Sequence, residues 1–210
     1  MESYENNTPN PIGNSPDYNE TAQRILEAAA QVFSERGYVG ATTRALAAAA
    51  GVNEVTLFRH FGTKQGLFQA VVEQFSAVPG LAARAAQLTG DDYRADLTRI
   101  AQHYLAMLRR NRRAILMTMA ESPRQPEIRP VIAATPARQR AMLAGYLRQQ
   151  IARGVVRNLP NPELTAQAFF GMFFEYSMAQ LLAEPDTPQP ADEDVIAEFV
   201  DIFVRGTIKE

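Results

Sequence analysis

The chain has 210 residues, 46% apolar and 21% charged, enough to bury a core and too apolar to stay disordered. Lys and Arg total 21 against 23 Asp and Glu, a formal charge of −2, so no global positive field draws it to nucleic acid or membrane and such a partner must be met by a local patch. With no cysteine and two histidines, disulfides, thiolate chemistry and Cys-based metal sites are excluded, no cofactor or metal is expected, and a reducing, cytoplasmic setting fits. No apolar run approaches the roughly 20 residues of a spanning helix, so no membrane partner is expected either.

Residues 1–18, rich in Pro, Asn and Ser, read as a flexible tail. From Asn19 the apolar residues Ala22, Ile25, Leu26, Ala29, Val32 and Phe33 recur at helical spacing, with Gly37 as the stop. A short helix opened by Thr42 or Thr43 and closed by Gly51 follows, then another from the cap Asn53 to about His60. A fourth starts at the cap Thr63 and runs toward Pro79 and Gly80. Beyond these, residues 91–110, 113–121, 137–153, 162–184 and 192–208 read as helices separated by proline clusters. The run Arg109, Arg110, Arg112, Arg113 falls where cations would complement a helix C-terminus, or contact DNA or an anionic ligand. Strand patterns are missing and alanine is abundant, so the fold class is all-α. The expected division is a tail over 1–18, a DNA-binding unit over 19–66 and a helical effector-binding and dimerisation unit over 67–210.

The stretch TTRALAAAAGVNEVTLFRHFGTK, residues 42–64, has the pattern of a helix-turn-helix: two short helices around a glycine turn. Leu46, Ala49, Ala50, Val52, Leu57 and Phe61 supply the apolar contact that braces them. Glu54, Val55, Thr56, Phe58, Arg59 and His60 remain available to face outward, where a helix entering a major groove carries its side chains. The longer segment ILEAAAQVFSERGYVGATTRALAAAAGVNEVTLFRHFGTKQGLF resembles the TetR-type transcriptional regulators, through an Ile and paired alanines, a Phe before a Gly, paired threonines, Ala-Gly-Val, Leu-aromatic-x-His-Phe and a Lys ahead of Leu. Phe58 stands where that pattern commonly has tyrosine, and Val55 where it has glycine.

The resemblance implies a DNA-binding set of Thr43, Arg44, Asn53, Glu54, Val55, Thr56, Phe58, Arg59, His60 and Lys64. In it Thr43 meets a phosphate at a helix N-terminus, and Arg44, Glu54, Val55 and Thr56 lie near base edges. Arg59, His60 and Lys64 contact the backbone. From Tyr18 to Gly66 this unit is only weakly cationic, so tight binding calls for a homodimer with two reading helices one DNA turn or a multiple apart, on a palindromic double-stranded operator.

The segment AQAFFGMFFEYSMAQLLA, residues 166–183, is apolar around most of its circumference, and the last helix repeats that excess. Both are expected to bury one face in the domain and another against a second copy, with Phe169, Phe173, Phe199 and Phe203 at the dimer interface. A small, largely apolar effector is assigned His103, Met107, Met117, Phe170 and Phe174, with Tyr104, Glu121 and Glu175 as further polar candidates. The same residues also suit an ordinary core.

These readings converge on a sequence-specific transcriptional regulator, a repressor released by its effector. The alternative is a helical scaffold or adaptor that binds a protein with the same fold. No catalytic constellation is visible in the sequence, so an enzyme is not expected.

Overall fold

The computed structural model describes residues 19–76, 90–180 and 188–209; the expected tail and the Pro79–Gly80 stop lie outside them. Helices α1 (Glu20–Gly40), α2 (Thr43–Ala49), α3 (Glu54–Phe61) and α4 (Lys64–Phe75) are followed by α5 (Tyr93–Glu121), α6 (Arg129–Ala152), α7 (Pro162–Ala179) and α8 (Asp192–Thr207). Among the described residues the β pairing is an isolated bridge between Val156 and Ile208. The fold is all-α.

Local chemistry sets most of the boundaries. Asn19, Thr42, Asn53 and Thr63 each accept from the backbone N–H three residues on, at 2.7–3.2 Å, satisfying a donor that the first helical turn leaves unpaired. Thr42, rather than Thr43, is therefore the cap of α2. Gly37 takes φ 69°, ψ 180° inside α1, so it kinks the helix instead of ending it, and one more turn follows to Gly40.

Two expected boundaries are corrected. The separate helices over 91–110 and 113–121 are one helix, α5, of 29 residues. The arginine run lies in its interior, because straight-chain Arg is a good helix former and Arg109 pairs with Asp192 of α8. The helix expected from Ala137 begins at Arg129 with Pro130 in its first turn, and Pro136 sits inside it. Pro130 loses nothing there, whereas Pro136 leaves the Ile132 carbonyl without its helical donor.

Two apolar cores form. In the first, Ile25 and Leu26 of α1, Leu46 of α2, Leu57 of α3 and Leu67 of α4 are completely buried, and Ile128 and Val131 from the start of α6 join them. Each such side chain contributes about 1.5–3 kcal/mol relative to exposure. In the helix-turn-helix contact Ala47 is buried and Ala49 exposed, the reverse of the expected placement of Ala49. The second core joins α5 to α8 through Leu97, Leu105, Leu147, Phe169, Phe173 and Val200. The first core runs past residue 66 into α4, and through Ile128 and Val131 the head, α1–α4, is packed directly onto the body, α5–α8.

Candidate functional site

The two short helices are held from both sides. Arg24 Nε of α1 donates to the Ala50 carbonyl at 3.2 Å, closing the end of α2, and Gly51 turns the chain at φ 63°, a conformation glycine reaches without penalty. Gly62 does the same after α3 at φ 69°. Helix α3 thus stands on α2 and α4 with only Leu57 fully buried.

Its outer edge carries Val55, 76% exposed, with Phe58 and Arg59 also exposed and Glu54, Thr56 and His60 half-buried. Arg44 is exposed at the start of α2 and Asn53 at the start of α3. The Thr43 hydroxyl donates to Glu54 Oε2 at 2.6 Å. Its proton is therefore engaged by the protein's own carboxylate rather than held free for a phosphate, and Glu54 is drawn toward α2. Lys64 Nζ lies 4.4 Å over the Tyr38 ring, a cation–π contact. Burial pulls the Lys64 ammonium below its ordinary pKa, and the Glu121 and Glu127 carboxylates oppose that shift.

Head and body meet at this same place. Glu121, the last residue of α5, accepts the Tyr38 backbone N–H at 2.5 Å and fills the space beside Gly37 that a Cβ would occupy. Gln65 of α4 donates to the Glu127 carbonyl at 2.7 Å. Glu121, offered by sequence as a contact for an effector, instead holds the kink of α1.

Between head and body lies a cavity of about 670 Å³. Its walls come from α1 (Phe33), α4 (Phe68, Val71, Phe75), α5 (Tyr104, Met107, Asn111), α6 (Ile132, Gln139) and α7 (Phe170, Phe174), most of them apolar. Tyr104 stands edge-on to Phe170, ring centres 4.8 Å apart, and burial pushes its hydroxyl pKa up, so it stays a neutral donor. Asn111 donates to the Phe75 carbonyl at 2.8 Å, bridging α5 to the end of α4.

Of the residues assigned to an effector from sequence, Met107, Phe170 and Phe174 line this cavity, while half-buried His103 and Met117 lie elsewhere on α5. The contributions of α1 and α4 were not foreseen, since their apolar stripes read as head core alone. Phe169 and Phe173 have no exposed surface within one chain, so they hold the body core and are not available to a second copy. Phe203 is 7% exposed, Phe199 is half-buried, and the outward apolar surface of these two helices is Leu164 and Ile202, 61% and 52% exposed.

A capped pair of short helices with an exposed edge, seated on a cavity-bearing helical body, defines a helix-turn-helix regulator of transcription. Residues 25–71 match the family described as bacterial regulatory proteins, tetR family, and residues 95–206 match the C-terminal domain of AefR-like transcriptional repressors. The chain belongs to the TetR family. It is similar to the uncharacterized HTH-type transcriptional regulator YvkB of Bacillus subtilis, 29% identical over 89% of this chain and 96% of that one. It is also similar to the HTH-type transcriptional repressor AcnR of Corynebacterium glutamicum, 46% identical over 26% of this chain and 29% of the relative. The crystal structure of a putative TetR-family regulator from Mesorhizobium loti shares the fold, with TM-score 0.72 and 21% identity over 90% of this chain and 97% of that one.

Proposed function

We propose that the protein is a repressor that binds a palindromic operator as a homodimer and is released by a small, largely apolar molecule occupying the cavity. The observation that carries this reading is that α1, which packs on α2, and α4, which packs on the reading helix α3, are also walls of the cavity. A ligand that fits one arrangement of those walls better than another must shift the reading head with it. In the complex α3 enters the major groove with Val55 and Thr56 toward base edges, Arg44 at the start of α2 reaches a base edge beside them, and Arg59 and His60 hold the backbone. Phe58, beside them on the exposed edge, packs on sugar and phosphate without the hydroxyl a tyrosine would add. The second copy docks on the outward faces of α7 and α8 around Leu164 and Ile202.

Titration of the purified protein against the DNA upstream of its own gene and against a scrambled duplex tests the reading. At least a hundredfold preference for the upstream duplex, with a dimer bound, is expected; equal affinity for both at the same salt would reject it.

A further inference from the structure

The arginine run that sequence placed at a helix terminus lies in the middle of α5, and its members have different surroundings. Arg109 pairs with Asp192. Arg110, the next residue, opens onto the cavity, as does Arg140 of α6, and neither has an ion pair among the described residues. The contrast recurs on α6, where Arg138 meets Glu73 and Arg148 meets Glu163, so carboxylates are in reach of these helices and have been placed elsewhere. No Asp, Glu or Lys is among the residues lining the cavity. Among the described residues the charge on its wall is two guanidinium groups, with no carboxylate lining it to balance them.

We infer that the ligand of this cavity is an amphipathic anion, an apolar body carrying one carboxylate or phosphate head held by Arg110 and Arg140. This rests on the effector reading above and narrows it. Arg110 is exposed and Arg140 half-buried, so both cations keep contact with water where they line the cavity. The planar guanidinium fork matches a carboxylate or phosphate in a way a neutral or cationic head cannot reproduce. Deeper in, the phenylalanines of α4 and α7 take the apolar body, and the neutral Tyr104 hydroxyl remains a donor to any oxygen it carries.

Calorimetric titration of the full-length protein with decanoate, 1-decanol and decyltrimethylammonium, which share a chain and differ in head, tests the inference. Decanoate binds at least tenfold more tightly than decanol, and the cation more weakly than either. The double variant Arg110→Gln/Arg140→Gln, whose positions belong to neither core, lowers decanoate affinity to that of decanol and leaves decanol unchanged. Arg110→Lys/Arg140→Lys recovers part of the preference. Equal affinity of decanoate and decanol for the unaltered protein, or a preference that survives the double Gln variant, overturns the anionic assignment and leaves the apolar cavity standing. Failure of both decanoate and decanol to bind overturns the cavity's effector role as well. Decyl phosphate, run in parallel, separates a phosphate from a carboxylate head.

Discussion

The Thr43 hydroxyl donates to the Glu54 carboxylate across 2.6 Å, joining the first residue of α2 to the first residue of α3. A short bond to a charged acceptor fixes the angle between two helices too short to be stable alone. Thr43→Val and Glu54→Ala are expected to couple by about 1.5 kcal/mol, the low end for a bond to a charged group because Thr43 and Glu54 are both half-buried. A double-mutant cycle in urea unfolding measures this. A coupling indistinguishable from zero would show that the two residues act independently.

The reading edge separates contacts that carry sequence information from those that carry only charge. Val55, 76% exposed, is expected on substitution to Ala to change preference at one base pair of each half-site, by about 1 kcal/mol. Arg59→Ala should weaken binding to every duplex alike and reduce the salt slope by about one. Anisotropy titrations on a set of single-base operator variants at three salt concentrations distinguish the two.

Two glycines have opposite expectations. Gly37 has φ 69°, and a Cβ there would lie 2.2 Å from Glu121 Oε1, so Gly37→Ala strains the backbone and displaces the carboxylate that holds Tyr38. A loss of about 2 kcal/mol, or roughly 4–8 °C in the melting midpoint, is expected. Gly145, on the exposed side of α6 with open space around its Cα, should tolerate Ala with a gain of about 0.5–1 kcal/mol. Circular-dichroism melts of both variants check the pair.

Alkaline pH should unfold the body. Burial raises the Tyr93 hydroxyl from 10.0 to about 12, partly offset by its hydrogen bond to Thr207, and burial also raises Tyr104 and Tyr146. A raised folded pKa gives stability that is complete below the unfolded value of 10.0 and is lost as pH climbs toward about 12. The melting midpoint is expected to hold level up to about pH 9 and fall through pH 10–12. Tyr93→Phe should flatten that fall, and an unchanged slope in the variant would assign the loss to other groups.

What could be read in the sequence divides by the range of the interaction. The caps Asn53 and Thr63 act on N–H groups three residues away, so residue type and local order were enough to place the helices they start. The turn at Gly51 and the outward set around Val55 follow from the same short-range pattern. Arginine spacing alone could not tell a helix end from a helix interior, because the deciding partner of Arg109 is Asp192, eighty-three residues on. Nor could it show that Phe33 and Phe68, legible as head core, also face a cavity shared with Phe170. That wall is assembled from five helices, and no local pattern announces it. The Thr43–Glu54 bond was hidden for the same reason: each residue had a plausible role on DNA when considered by itself.

Under the proposed function the cavity and the reading head are energetically linked through α1 and α4. Operator affinity measured by anisotropy, with and without saturating decanoate or decanol, whichever occupies the cavity, tests it most directly. At least a fivefold weakening of operator binding is expected, matched by an equal weakening of ligand binding when operator is present. A ligand confirmed in the cavity that leaves operator affinity unchanged would contradict it.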